Sequence, residues 1–262
     1  MQRGRSAPKT DTMVPRELSV SLCSLRPPGS QGTPDPRALL EQLAGCGIRA
    51  VQLDASMPGL RPRELDQSAR RDLVGFLRRR GLALTGFDLF IPPAHFLDAS
   101  AQNRAVDAVA GAIDLARMVG EGISRQVCLK LPPSLPGAVE SALVSSALHE
   151  NVTIIDHLCP PRPPVAGPQG HEILVGLDSA ELLATGSTWT HAAALAGRRL
   201  QGARLRARAL ASGGFSDDEL HDVTVALASA GFTGALVIDA RGASAPWNAV
   251  MDTLARLERH FA

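Results

Sequence analysis

Alternation of apolar and polar positions marks eight short strands along the chain. LSVSLCS, residues 18–24, sets Leu18, Val20 and Leu22 against Ser19, Ser21 and Cys23. A period of two with one polar face describes a half-buried strand. AVQLD, residues 50–54, repeats the pattern with Gln52 and Asp54 on one side. A third strand runs from Ala83 to Phe90, carries Asp88 near its C-terminal end and stops before Pro92 and Pro93, which cannot continue a ladder. QVCLKLP (126–132) turns Cys128 and Lys130 the same way, VTIIDH (152–157) brings Asp156 to its end, and ILVGLD (173–178) finishes on Asp178. LQGARLR (200–206) puts Arg204 and Arg206 on one face, and GALVIDARG (234–242) opposes Leu236 and Ile238 to Asp239 and Arg241.

Between these strands the apolar period lengthens to that of a helix. Asp35 and Pro36 open one that Gly47 closes. Others are predicted over 62–80, 103–120, 137–150 and 189–196, after Ser216 with acids in the first turn, and over 245–260 at the end of the chain. Residues 159–172, CPPRPPVAGPQGHE, hold five prolines, so the fifth crossover is expected to be a helix-free loop, a candidate lid. Eight strands alternating with seven helices predict an α/β fold, a closed (β/α)8 TIM barrel, with an open doubly wound sheet as the alternative. The first strand is not followed by a glycine-rich phosphate or dinucleotide pattern, which weakens that alternative. Residues 1–16 are basic and polar without an apolar h-region and are expected to form a disordered tail; the barrel domain takes 17–262.

Length fits one barrel: 262 residues against about 250 for this architecture. Aromatic residues make up 3% with no Tyr, so Leu, Val and Ala must fill the core. A net charge of +1 with scattered arginines argues against nucleic acid as a partner. No stretch reaches the roughly 18 apolar residues of a membrane span. Cys23, Cys46, Cys128 and Cys159 have no metal or redox spacing and read as reduced thiols, so a cytoplasmic protein is expected.

In β/α barrels the site is built where the strands end. The charged residues at those ends are Asp54, Asp88, Lys130, Asp156, Asp178, Arg204, Arg206, Asp239 and Arg241. So many charges in one mouth must neutralise one another, hold a metal or receive an anion. Any single acid can instead cap the next helix, and Asp178 is open to that reading. His157 is expected to be a hydrogen-bonded structural residue facing the helices or the strand end. His95 falls on a loop, His171 in the proline-rich loop, and His149, His191, His221 and His260 on helix surfaces.

The segment GIRAVQLDASMPGLRPRELDQSARRDLVGFLRRRGLALTGFDLF resembles the first three units of the sugar phosphate isomerase/epimerase family, whose barrel is of the xylose isomerase type. VGLDSAELLATG resembles its sixth strand, and GALVIDARG followed by Pro246 and Trp247 its eighth, so the resemblance spans about residues 17–260. It implies a divalent metal, Mg²⁺ or Mn²⁺, held at Asp156, Asp178 and Asp239, the first and last replacing family glutamates. Each replacement draws the carboxylate back by about 1.5 Å. Where the family has its seventh-strand histidine ligand this chain has Arg204, and where it has the histidine of L-D-x-x-H it has Glu181. Two mechanisms follow. In one, the metal polarises a hydroxy-ketone while a carboxylate moves a proton. In the other, which the arginine favours, Arg204 pairs with Asp178 or Asp239 and the mouth is metal-free. In both, Asp156, Asp178, Asp239 and Arg204 would be catalytic, and Asp54, Asp88, Lys130, Arg206 and Arg241 would bind a small sugar or sugar phosphate. A non-catalytic sugar-binding or scaffold descendant of the isomerase fold is the alternative function, and a homo-oligomer stays open. A phosphodiesterase acting on DNA ranks last, since its basic groove and additional histidine ligands are missing from the sequence.

Overall fold

A computed structural model describes residues 17–30, 32–163, 172–208 and 214–261. Eight parallel strands, β1 (Glu17–Ser21), β2 (Ala50–Asp54), β3 (Ala83–Asp88), β4 (Gln126–Leu129), β5 (Thr153–Asp156), β6 (Leu174–Asp178), β7 (Leu200–Arg206) and β8 (Ala235–Asp239), close into a barrel in sequence order. Around it lie α1 (Pro36–Gly45), α2 (Gln67–Arg80), α3 (Gln102–Val119), α4 (Gly137–Glu150), α5 (Ser179–Thr185), α6 (Trp189–Ala196), α7 (Asp217–Ser229) and α8 (Pro246–Phe261). The open sheet is thereby excluded.

Local chemistry sets most helix ends. The Asp35 carboxylate accepts from the amides of Arg37 and Ala38 at the start of α1, with Pro36 in the first turn. Asp66 accepts from Ala69 N at 2.8 Å and so starts α2 later than expected; Pro62–Glu64 forms a separate 3-10 turn. Ser216 and Glu219 make reciprocal bonds of 3.1 and 2.8 Å that open α7. The short helix α5 is absent from the sequence-based expectation, because it leaves β6 without a loop and Asp178 belongs to both elements. Residues 157–163 carry no helix, while 164–171, including His171, and the N-terminal tail lie outside the described residues.

Outward-facing residues such as Val20, Val51, Phe87, Val127, Leu177, Leu205 and Ile238 are buried beneath the helices and form the main apolar layer. The barrel interior is polar instead. Ser19 bonds Thr85 across the barrel at 2.7 Å, and Ser21 bonds Asp88 at 2.5 Å, although β1 and β3 are not neighbours.

Thr85 and Asp88 both face inward although three positions apart, which strict alternation forbids. The register shifts between β2 and β3 here, from Val51 opposite Leu84 to Gln52 opposite Gly86. This β-bulge, with Gly86 at φ 150°, turns Asp88 into the barrel. A Cβ on Gly86 would lie 2.6 Å from Gln126 Cγ, and the Gln126 amide is bonded to the Thr85 carbonyl. Gly86→Ala must therefore displace Gln126 or undo the bulge. It is expected to lower stability by about 1–3 kcal/mol, measured by chemical denaturation.

Candidate functional site

At the C-terminal ends of the strands a cavity of about 300 Å³ opens among Cys23, Asp88, Cys128, Lys130, His157, Asp178, Glu181, Arg204, Arg206 and Arg241, with a wall from the loop after β3 that includes Phe90 and Ile91. At its base Arg204, 3% exposed, reaches across the barrel. One guanidinium nitrogen donates to Asp88 Oδ1, and another lies 3.4 Å from Asp239 Oδ2. Asp88 also accepts from Ser21 Oγ and, at 2.8 Å, from Gln52 Nε2. Arg206 grips Asp178 with Nε at 3.1 Å from Oδ1 and Nη2 at 2.9 Å from Oδ2. Arg241 binds Asp239 Oδ2 through Nε at 2.7 Å, and its backbone amide donates to Oδ1 at 2.8 Å. At the rim Lys130 Nζ sits 2.6 Å from Glu181 Oε2.

Four cations and four carboxylates thus neutralise one another, as burial requires. Burial works to raise the Asp178 carboxyl, but Arg206 and Arg204 outweigh it and hold the group down at about 2. Asp239 feels the same opposition and also titrates below the usual carboxylate range, through Arg204 and Arg241. Burial works to lower the Arg204 guanidinium, yet Asp88 and Asp239 overcome it and the group stays charged. The thiols of Cys23 and Cys128 are pushed up, by burial first and by Asp88 second, Cys128 to about 12, so both remain protonated.

Three side chains depart from the expected arrangement. Asp156 turns away from the mouth: it accepts from Leu131 N at 3.0 Å, Leu158 N at 3.1 Å and Arg162 Nε at 2.9 Å. Asp54 lies at its strand end but accepts from Ser56 N at 2.8 Å and Ser56 Oγ at 2.5 Å, and it does not line the cavity. His157 faces inward, not toward the helices. It packs over Gly176 and Gly202, and among the described residues neither ring nitrogen has a hydrogen-bond partner. The parity of β5 decides both outcomes, and the apolar pair Ile154 and Ile155 hides that parity in the sequence. Glycines at inward positions of two neighbouring strands were the available signal, since they leave room for a large side chain. His95, His149, His191 and His221 are exposed and His260 is partly so, all away from the cavity.

The donors proposed for Mg²⁺ or Mn²⁺ do not fit such an ion. Asp156 points elsewhere, and the oxygens of Asp178 and Asp239 are occupied by guanidinium and amide groups. Among the described residues no group of three or more His, Cys, Asp or Glu side chains is placed to hold a metal. No helix among them is long and apolar enough to cross a membrane.

The chain is therefore a (β/α)8 barrel with a charged, guanidinium-rich mouth. No protein-family model matches the sequence, and no curated protein does. Solved structures do match. D-psicose 3-epimerase from Clostridium cellulolyticum H10, with D-tagatose, superposes with a TM-score of 0.67 at 14% identity, covering 94% of this chain and 98% of that one. A xylose isomerase domain protein from Planctomyces limnophilus gives 0.65 at 14% identity over 94% and 95%. A sugar phosphate isomerase/epimerase from Parabacteroides distasonis gives 0.64 at 12% identity over 95% and 96%. The shared feature is the fold, the (β/α)8 barrel.

Burial, and then the charge of Arg204, push the His157 imidazole down to about 3 from an ordinary value near 6.5. Below pH 6.5 the unfolded chain takes up a proton that the folded chain refuses, so folding stability falls as the pH drops from 6.5 towards 3. The slope from this residue is about 1.4 kcal/mol per pH unit. His157→Gln is expected to remove that slope from denaturation midpoints measured between pH 6 and 4.

Proposed function

We propose that the protein binds a small polyhydroxylated ligand, a sugar or sugar phosphate, at the C-terminal mouth of the barrel and needs no metal to do so. The observation that carries this reading is the Arg204 guanidinium between Asp88 and Asp239, a fixed positive charge in the region where a bound cation was expected. Above it Arg206 and Arg241 remain about one-fifth exposed and Lys130 more so. These side chains can meet an anionic ligand group, with planar guanidinium forks suited to carboxylate or phosphate. The carbon chain would lie along Leu89, Phe90 and Ile91 of the cavity wall.

Isomerisation or epimerisation needs a base near a carbon beside a carbonyl and a positive group near its oxygen. Glu181 and Lys130, paired at the rim, have those chemical types, and both face the cavity. The sugar epimerases and isomerases that share the fold support this chemistry for the site. Asp178 and Asp239, which titrate low and are tied to arginines, serve in this reading as counter-charges and not as bases.

Calorimetric titration with D-fructose 6-phosphate and D-gluconate tests the proposal. Binding by at least one of them should be unchanged by EDTA and weakened about tenfold or more by Arg206→Ala. Solvent deuterium entering the carbon next to the carbonyl of fructose 6-phosphate would show turnover. Binding that EDTA abolishes and Mn²⁺ restores contradicts the reading.

A further inference from the structure

The space occupied by His157 is built for it. Gly176 on β6 and Gly202 on β7 sit side by side in the sheet register, and both face inward. A Cβ on Gly176 would come within 2.4–2.7 Å of Cε1, Nδ1 and Nε2 of the ring, and one on Gly202 would come 3.4 Å from Cε1. Any larger residue at 176 would therefore expel the imidazole. The ring is 5% exposed, borders the mouth cavity, and keeps both nitrogens free of hydrogen bonds among the described residues.

Buried polar atoms are destabilising unless something pairs with them. The surrounding groups say what that partner is. Burial, and then the charges of Arg204 and Arg241, disfavour an imidazolium here, so the ring is neutral, with one N–H donor and one nitrogen acceptor. A carboxylate or a fully ionised phosphate ester can accept from the ring but cannot donate to it, and the rim already offers Arg206, Arg241 and Lys130 to such groups. A hydroxyl both donates and accepts, which matches a neutral imidazole. We infer that His157 is a specificity-determining residue that recognises a hydroxyl of the ligand, leaving its anionic group to the arginines. The inference rests on the proposed ligand site and adds which part of the ligand each side chain reads.

The test compares calorimetric binding of D-gluconate and D-fructose 6-phosphate with that of inorganic sulfate, which has no hydroxyl. His157→Leu is expected to weaken whichever polyhydroxylated probe the wild type binds by about tenfold or more and to leave sulfate within roughly twofold. His157→Gln, which keeps a donor and an acceptor, should fall between. Equal binding by wild type and His157→Leu overturns the inference, as does an equal loss for all probes. A His157→Leu chain that does not fold also overturns it, because the imidazole would then be holding the barrel together. If the wild type binds sulfate but neither polyhydroxylated probe, this inference fails alone; if it binds none of the three, the proposed site fails with it.

Discussion

A guanidinium buried inside a barrel must be surrounded by negative charge, and this single requirement orders the mouth. Desolvating Arg204 without partners would cost several kcal/mol, so Asp88 from β3 and Asp239 from β8 converge on it. Each carboxylate is fixed in turn by a neighbour: Ser21 and Gln52 hold Asp88, and Arg241 holds Asp239. Arg206 and Asp178 complete the layer beside them. Even the β-bulge at Gly86 belongs to this arrangement, because without it Asp88 would face the helices.

The same requirement decides what chemistry the mouth can support. Asp178 and Asp239 have their oxygens engaged by arginines and titrate low, which makes them poor metal ligands and poor proton acceptors. What remains available lies higher in the cavity: the outer edges of Arg206 and Arg241, the Lys130–Glu181 pair, and the free edge of His157. A charged rim over one neutral, buried imidazole suits a ligand with an anionic end and a hydroxylated chain. The barrel is shared with sugar epimerases and isomerases, while the charged layer at the base of the mouth follows different electrostatics from the metal site that the sequence resemblance implies.

Much of the fold was legible because its signals are local. Strands β2 and β7 and helices α4 and α6 have the predicted limits, set by alternation, by Gly197 at the C-cap of α6 and by Asn151 in the left-handed conformation at the end of α4. Arg204, Asp178 and Asp239 were legible as residues that meet at the mouth, since each lies at or near the end of a strand of unambiguous parity. Asp156 and His157 were not. The segment Thr153–Asp156 has consecutive isoleucines, so no polar face shows which of the two following residues points inward, and the answer depends on the neighbouring glycines. Of the two partners expected for Arg204, Asp239 is one, while Asp178 is held by Arg206; the second partner is Asp88, remote in sequence and re-aimed by a bulge. Bulges depend on the pairing of two strands and leave little trace in either one alone.

The central claim is that a protein side chain, and not an ion, supplies the positive charge between β3 and β8. Anomalous diffraction from crystals grown in Mn²⁺ addresses it directly. Continuous guanidinium density joining Arg204 to Asp88 and Asp239 is expected, with no anomalous peak among Asp88, Asp178 and Asp239. A manganese peak there, with Arg204 swung out of the barrel, would contradict it.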